Sequence, residues 1–331
     1  MTKPIVAICY PAPVDSTLLE QRRGPELLVR ELPNHVIVDM RDRTPDDLSP
    51  AELDQLAEVT VAFILDVPDW LIEHCPKLAW IHSLKTGYDH IDLNQLHQRE
   101  IRLTNGAGTA ATEIAEFVIA RVLEHWKHLP KIAEQQQRHE WRPRFGRALS
   151  NAHVVLVGYG PINQEVARLL SPFGTRLTAV RRSAGTPSLG VERVVSLDNL
   201  GQALATADIV VAALPSTSST VGMFDAATFA SMKPGAFFVN VGRGSAVVES
   251  DLVASLESGH LGGAATDVTE TEPLPEDDSL WDSAVRISPH CSASLDNIMR
   301  RVHELFVRNV SLFESGKAME NEVDVASERL N

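Results

Sequence analysis

An α/β fold made of two doubly wound parallel-sheet domains is the architecture this sequence predicts, on three observations. Short apolar runs of β-type residues alternate with amphipathic segments along nearly the whole chain. Runs such as residues 59–65 are apolar throughout, the pattern of strands covered by helices on both faces. A chain of 331 residues also exceeds the usual size of one domain.

In the first series the strand-like runs are 5–9, 36–40, 59–65, 78–84 and 101–104, with helical segments near 15–31, 50–57, 68–74 and 92–99. Ser49 and Pro50 supply an N-cap and a first-turn proline for the second helix. Past Thr104, Asn105-Gly106-Ala107-Gly108 reads as a hinge and 109–128 as a long helix. Its stretch 112–119 is apolar on more than one face, which suits a domain or subunit interface, so a homodimer is expected. Residues 131–150, rich in Gln, Arg and Trp, read as a polar connector.

The second series has strands at 154–157, 177–180, 207–214, 236–241, 263–268 and 285–288, with helices near 161–170, 198–206, 225–231 and 249–258. A last helix over 295–314 ends at Gly316, and its apolar face requires a partner that the first domain can supply.

The formal charge of −14, from 30 basic and 44 acidic residues, argues against general affinity for nucleic acid or anionic lipid. It also makes each basic residue near a strand end more informative. No apolar run is long enough to span a bilayer, and Met1-Thr2-Lys3-Pro4 leads directly into a strand, so a cytoplasmic location is expected. Cys9, Cys75 and Cys291 lack metal-ligand spacing and read as packed thiols of a reducing compartment. His125 and His128 read as a solvated helix face, and no metal is expected.

Within the second series, the strand 154–157 ends in Gly158-Tyr159-Gly160-Pro161-Ile162-Asn163 and a helix. Closely spaced glycines let the backbone approach a pyrophosphate, whose charge meets the free N–H groups of the helix start. A dinucleotide is therefore expected at Gly158 and Gly160. The next strand ends in Arg181-Arg182-Ser183 instead of an acid. Guanidinium groups bind a 2′-phosphate that a carboxylate would repel, which favours NADP(H) over a solvated basic loop.

Other polar residues follow strand ends. Arg243 stands between glycines in Asn240-Val241-Gly242-Arg243-Gly244-Ser245, where a guanidinium can grip a carboxylate. Asp267, Glu272 and His290 converge on one sheet edge. An imidazole suits proton delivery to a carbonyl oxygen, and a neighbouring carboxylate favours its charged form. A purely structural histidine is the other reading.

Taken together, Gly158-x-Gly160, Asn240-x-x-Arg243-Gly244, Asp267-x-x-x-x-Glu272-Pro273, Leu274-Pro275 with Leu280-Trp281, and Ser288-Pro289-His290 resemble the D-isomer-specific 2-hydroxyacid dehydrogenases. The resemblance extends to Gly87-Tyr88-Asp89-His90-Ile91-Asp92-Leu93 and to the terminal Arg308-Asn309, Gly316, Asn321 and Val323. It implies a flavodoxin-like substrate domain of residues 1–104 plus 292–331, a Rossmann NADP-binding domain of residues 105–291, and a cleft between them. By the match, Arg243 binds a 2-oxo acid, His290 is the general acid/base, Glu272 orients it, and Asp267 meets the nicotinamide carboxamide. The same match puts further cofactor contacts at Pro161, Ile162, Leu214, Pro215, Thr220, Val241 and Ser292.

Three departures stand out. Asn163 replaces the third glycine of the nucleotide fingerprint, and Arg181-Arg182 replaces the acid of NAD-dependent members, as in members resembling NADPH-dependent glyoxylate and hydroxypyruvate reductases. In the substrate loop, Lys85-Thr86-Gly87 has lysine where the family has a glycine. Lys85 either adds a charge for the substrate carboxylate or points outward and stiffens the loop.

The expected activity is therefore NADPH-dependent reduction of a short 2-oxo acid to the D-2-hydroxy acid. A nucleotide-sensing regulatory protein of the same fold, resembling the C-terminal-binding corepressors, is the alternative; the paired arginines speak against an NAD(H) sensor. Formate dehydrogenase is disfavoured, because that group carries glutamine where Glu272 stands.

Overall fold

The computed structural model describes residues 3–9, 24–293 and 295–328. The strands in chain order are β1 (Ile5–Cys9), β2 (Val36–Asp39), β3 (Val61–Ile64), β4 (Trp80–Ser83), β5 (Arg102–Thr104), β6 (His153–Val157), β7 (Arg176–Arg181), β8 (Arg193–Ser196), β9 (Ile209–Ala212), β10 (Phe237–Asn240), β11 (Gly263–Thr266), β12 (Val285–Ile287) and β13 (Glu322–Val323). They form two sheets in two compact units, residues 1–109 with 294–331 and residues 110–293.

The first sheet has the order β13-β5-β4-β3-β1-β2, parallel except for β13, which runs antiparallel to β5. Residues 15–23 of the first expected helix lie outside the described residues, and its remainder is the helix Gly24–Glu31. The helix Pro50–Ala57 begins with a capping box: Ser49 Oγ accepts from Glu52 N, and the Glu52 carboxylate accepts from Ser49 N at 2.9 Å.

The terminal helix Leu295–Glu314 buries Met299, Val302, Phe306 and Val310 against Val6, Ile8, Phe63 and Trp80 of this sheet. Phe306 stacks on Phe63 with centroids 4.5 Å apart. Asn309 then secures the chain reversal, donating to Glu320 O and accepting from Glu320 N, while Asn321 donates to Ala107 O at 2.8 Å. Because Asn105, Gly106 and Ala107 are hydrogen-bonded back to Asn321, Lys85 and Thr86, the first unit ends at Thr109, five residues later than Thr104.

The second sheet is wholly parallel, with the order β12-β11-β10-β9-β6-β7-β8. Strand order reverses between β6 and β9, the switch point at which open α/β sheets bind ligands. The helix Ala111–Trp126 uses one face, Ala115, Val118, Val122 and Trp126, inside the core of its own unit, so its apolar character does not require a subunit interface.

Several elements were not expected from sequence, among them β13 and the short helix Val325–Glu328 at the C-terminal end. Residues 129–137 form a helix within the expected connector; Pro130 opens it, and its polar side chains bury only Gln135. The edge strand β8 has no counterpart among the expected strands, because its residues are exposed or half-buried and its apolar run is only Val194-Val195. Cys9 and Cys75 are buried, and desolvation pushes the Cys75 thiol up to about 12, whereas Cys291 is exposed instead of packed.

Beneath the terminal helix, His82 is wholly buried, with Nδ1 bonded to Thr104 Oγ1 at 2.6 Å and no partner for Nε2 among the described residues. Burial and the neighbouring His303 push it down to about 3. The unfolded chain therefore binds more protons than the folded one between about pH 6.5 and 3. Stability from this site is complete above that window and is lost as pH falls through it, by at most about 1.4 kcal/mol per pH unit. Denaturant titrations at stepwise lower pH should show this decline, and His82→Gln should flatten it; an unchanged slope in H82Q would assign the acid sensitivity elsewhere.

Candidate active site

All strands of the second sheet point the same way, so the turns after β6, β7, β9, β10, β11 and β12 share one edge. At the first of them Gly158 is required twice. Its φ of +82° is left-handed, and a Cβ there would lie 2.5 Å from Ala213 O, just after β9. Gly160 differs, since a Cβ there would meet nothing within 4 Å. Packing does not demand that glycine. The open space lies at the start of the helix Pro161–Leu170, which no side chain caps and whose dipole favours an anion.

Asn163 fills the place of the third fingerprint glycine. It is fully buried, and its Nδ2 donates to Gly158 O at 2.7 Å, Val157 O at 3.1 Å and Val211 O at 3.3 Å, while Oδ1 has no partner among the described residues. One amide thus ties β6 to β9. Tyr159, next to it, donates its hydroxyl to Ser188 O at 3.0 Å and links the glycine turn to the loop after β7. Neither role is readable from sequence spacing.

Arg181, Arg182 and Ser183 are exposed at the end of β7, and among the described residues neither arginine forms an ion pair. Two unmatched guanidinium groups beside an uncapped helix start fit a nucleotide carrying an additional phosphate. Leu214 and Val241 are buried behind this edge, and Pro161, Pro215 and half-buried Ile162 lie on it. Thr220 is buried, donates to Pro215 O at 2.6 Å and accepts from Thr217 N at 2.9 Å, so its hydroxyl holds its own loop together.

After β10, Asn240 builds the arginine turn by donating to Arg243 O at 3.0 Å and accepting from Gly242 N at 3.1 Å. Half-buried Arg243 donates from Nη1 to Gly242 O. A Cβ on Gly244 would lie 2.0 Å from Thr269 C and O, so glycine lets this turn press directly on the 269–270 backbone. That contact brings the arginine turn beside the loop carrying Glu272.

Glu272 divides its carboxylate between two donors. Oε1 accepts from Thr269 N at 3.1 Å, and Oε2 lies 2.7 Å from His290 Nδ1. The carboxylate orients the ring and leaves Nε2 as its other functional nitrogen. His290 adopts φ +49°, a left-handed conformation that costs energy in any residue but glycine.

Asp267 explains how that conformation persists. Buried to 2% exposure, it accepts from Ser288 Oγ at 2.7 Å, Cys291 N at 3.0 Å and Ser292 N at 3.0 Å, while its backbone oxygen accepts from His290 N at 2.9 Å. Its carboxylate thereby anchors the segment that carries His290. Ser292 likewise meets Asp267.

The substrate-loop residues belong to the first unit. Lys85 Nζ lies 2.5 Å from Asp66 Oδ1, and His90 Nε2 lies 3.2 Å from the same oxygen. The lysine is thus ion-paired with Asp66 at a partly exposed position. Thr86 O accepts from Asn105 Nδ2, and a Cβ on Gly106 would lie 2.5 Å from Leu84 O, so close backbone contact braces the loop that includes Gly87.

Among the described residues no helix is long and apolar enough to cross a membrane. Residues 119–292 match the family model for the D-isomer specific 2-hydroxyacid dehydrogenase NAD binding domain. The glyoxylate reductase/hydroxypyruvate reductase of Mus musculus is 30% identical over 75% of this chain and 77% of its own. A crystal structure of a D-isomer specific 2-hydroxyacid dehydrogenase family protein from Aeromonas salmonicida superposes with TM-score 0.81 at 30% identity, covering 98% of this chain and 99% of that one. The NADPH-dependent glyoxylate/hydroxypyruvate reductase of Sinorhizobium meliloti, solved in complex with NADP and sulfate, gives TM-score 0.79 at 27% identity, covering 98% and 100%. With its two parallel-sheet units and this set of strand-end residues, the chain belongs to the D-isomer specific 2-hydroxyacid dehydrogenase family of oxidoreductases.

Proposed function

We propose that this protein reduces a short 2-oxo acid of the glyoxylate or hydroxypyruvate type to the D-2-hydroxy acid, using NADPH. The observation that carries the reading is the His290–Glu272 pair at 2.7 Å, on the same sheet edge as the unpaired Arg181 and Arg182. Bound reduced nicotinamide supplies a hydride to the carbonyl carbon. Glu272 orients His290 through Nδ1, so Nε2 is the atom that delivers a proton to the carbonyl oxygen. Arg243 holds the carboxylate and polarises the carbonyl, and Asp267 keeps the histidine segment in place.

Gly158, Gly160, Pro161 and Ile162 would hold the pyrophosphate, Arg181, Arg182 and Ser183 the 2′-phosphate, and Leu214, Pro215, Val241 and Ser292 the nicotinamide half. Thr220 contributes by shaping its loop. Residues 1–104 with 292–331 form the substrate part in this reading, with Thr86 and Gly87 meeting the substrate carboxylate and Lys85 contributing charge when its Asp66 contact opens. A homodimer is supported by Trp141 and Phe145, which are 98% and 90% exposed on the segment after the helix Leu129–Gln137.

Turnover of NADPH and of NADH, each followed separately against 2-oxo acids of increasing side-chain size, tests this function. Preference for NADH would refute the arginine assignment, and no oxidation of either with any acid would favour a nucleotide-sensing regulator. His290→Ala should lower kcat by about 10²-fold or more while leaving the NADPH Kd unchanged; retained turnover would remove His290 from proton transfer. Arg181→Gln with Arg182→Gln should raise the KM for NADPH by about 10-fold or more and leave that for NADH nearly unchanged, as measured by initial rates.

A further inference from the structure

A cavity of about 560 Å³ opens at the other edge of the second sheet, where β10, β11 and β12 begin. Phe237, Leu256 and Leu261 supply apolar lining. Arg121, Lys131 and Arg286 supply three cationic side chains, with His125 and His128 beside them, against one acid, Glu124. In a chain of net charge −14, that concentration runs opposite to the average.

Most of this positive charge is unmatched. Arg121 pairs with Glu124 at 2.9 Å, yet its buried Nε has no hydrogen-bond partner among the described residues. Lys131 and Arg286 form no ion pair among the described residues. His125 is a seated group, not a solvated one: its ring stacks on Phe237 with centroids 4.3 Å apart, and a Cβ on Gly263 would lie 2.5 Å from its Cε1. Burial and then the charges of His128, Lys131, Arg286 and Arg147 hold this histidine below its ordinary value, so the ring feels a positive field from several elements.

We propose that this cavity is a binding site for a small organic polyanion, a multivalent carboxylate or phosphate ester. Arg121, Lys131 and Arg286 meet its charges, and the His125–Phe237 stack packs against its carbon frame. The site is separate from the catalytic edge. β10, β11 and β12 each begin at the cavity and end near Arg243, Asp267 or His290, so about 10–13 Å of strand lies between the two.

Isothermal titration at constant ionic strength tests the proposal, with citrate as the carboxylate probe and inorganic pyrophosphate as the phosphate probe. The wild-type protein should bind at least one of them at one site per chain, and whichever binds identifies the class. A variant with Lys131→Gln and Arg286→Gln, both exposed positions, should bind at least about tenfold more weakly while keeping its thermal transition. Equal affinity in the variant would locate binding elsewhere, for example on Arg181 and Arg182. That result overturns the proposal, as does no saturable binding of either probe to wild type up to about 10 mM.

Discussion

The common direction of the seven strands β6–β12 is the constraint on which the site depends. Backbone pairing puts the strand beginnings on one edge and their ends on the other, whatever side chains they carry. Gly158, Arg181, Leu214, Arg243, Asp267 and His290 are separated by up to 132 positions in sequence, yet each follows or ends a strand of this one sheet. Chemistry needing several residue types together can be assembled from single residues at successive strand ends.

Two local devices turn that edge into a defined geometry. One is the absence of side chains: at Gly158 and Gly244 any Cβ would collide with a neighbouring backbone, so turns belonging to different strands come into contact. The other is a buried carboxylate. Asp267 takes three hydrogen bonds from the 288–292 segment and holds His290 in a left-handed conformation, with Nδ1 against Glu272. Electrostatics adds contrast, because in a molecule of net charge −14 Arg181 and Arg182 form no ion pair among the described residues and concentrate positive potential at this edge.

What could be read from sequence follows from what was buried. β3, β6 and β9 are buried at every position, so their apolar runs announced them. β8 and the helix Leu129–Gln137 lie at the periphery and carried no such pattern. Glu272 and His290 were legible as a pair because each follows a strand closely. The engagements of Asp267, Thr220 and Lys85 were not, since each depends on which backbone or side-chain group a loop brings near. Asn240 acts within its own turn, whereas Tyr159 and Asn163 reach Ser188 and Val211 of other segments, and only the structure reveals these contacts. His125 shows the same limit, since its seat is formed by Phe237 and Gly263, more than 100 positions away in sequence.

The central claim is that one sheet edge holds both the phosphorylated nucleotide and the proton-donating pair. A crystal structure of the protein soaked with NADP⁺ tests it most directly. The account predicts a pyrophosphate at the start of the helix Pro161–Leu170, a 2′-phosphate on Arg181 or Arg182, and the nicotinamide ring on the side of His290 and Arg243. A nucleotide bound with its 2′-phosphate away from both arginines, or with its nicotinamide remote from His290, would contradict it.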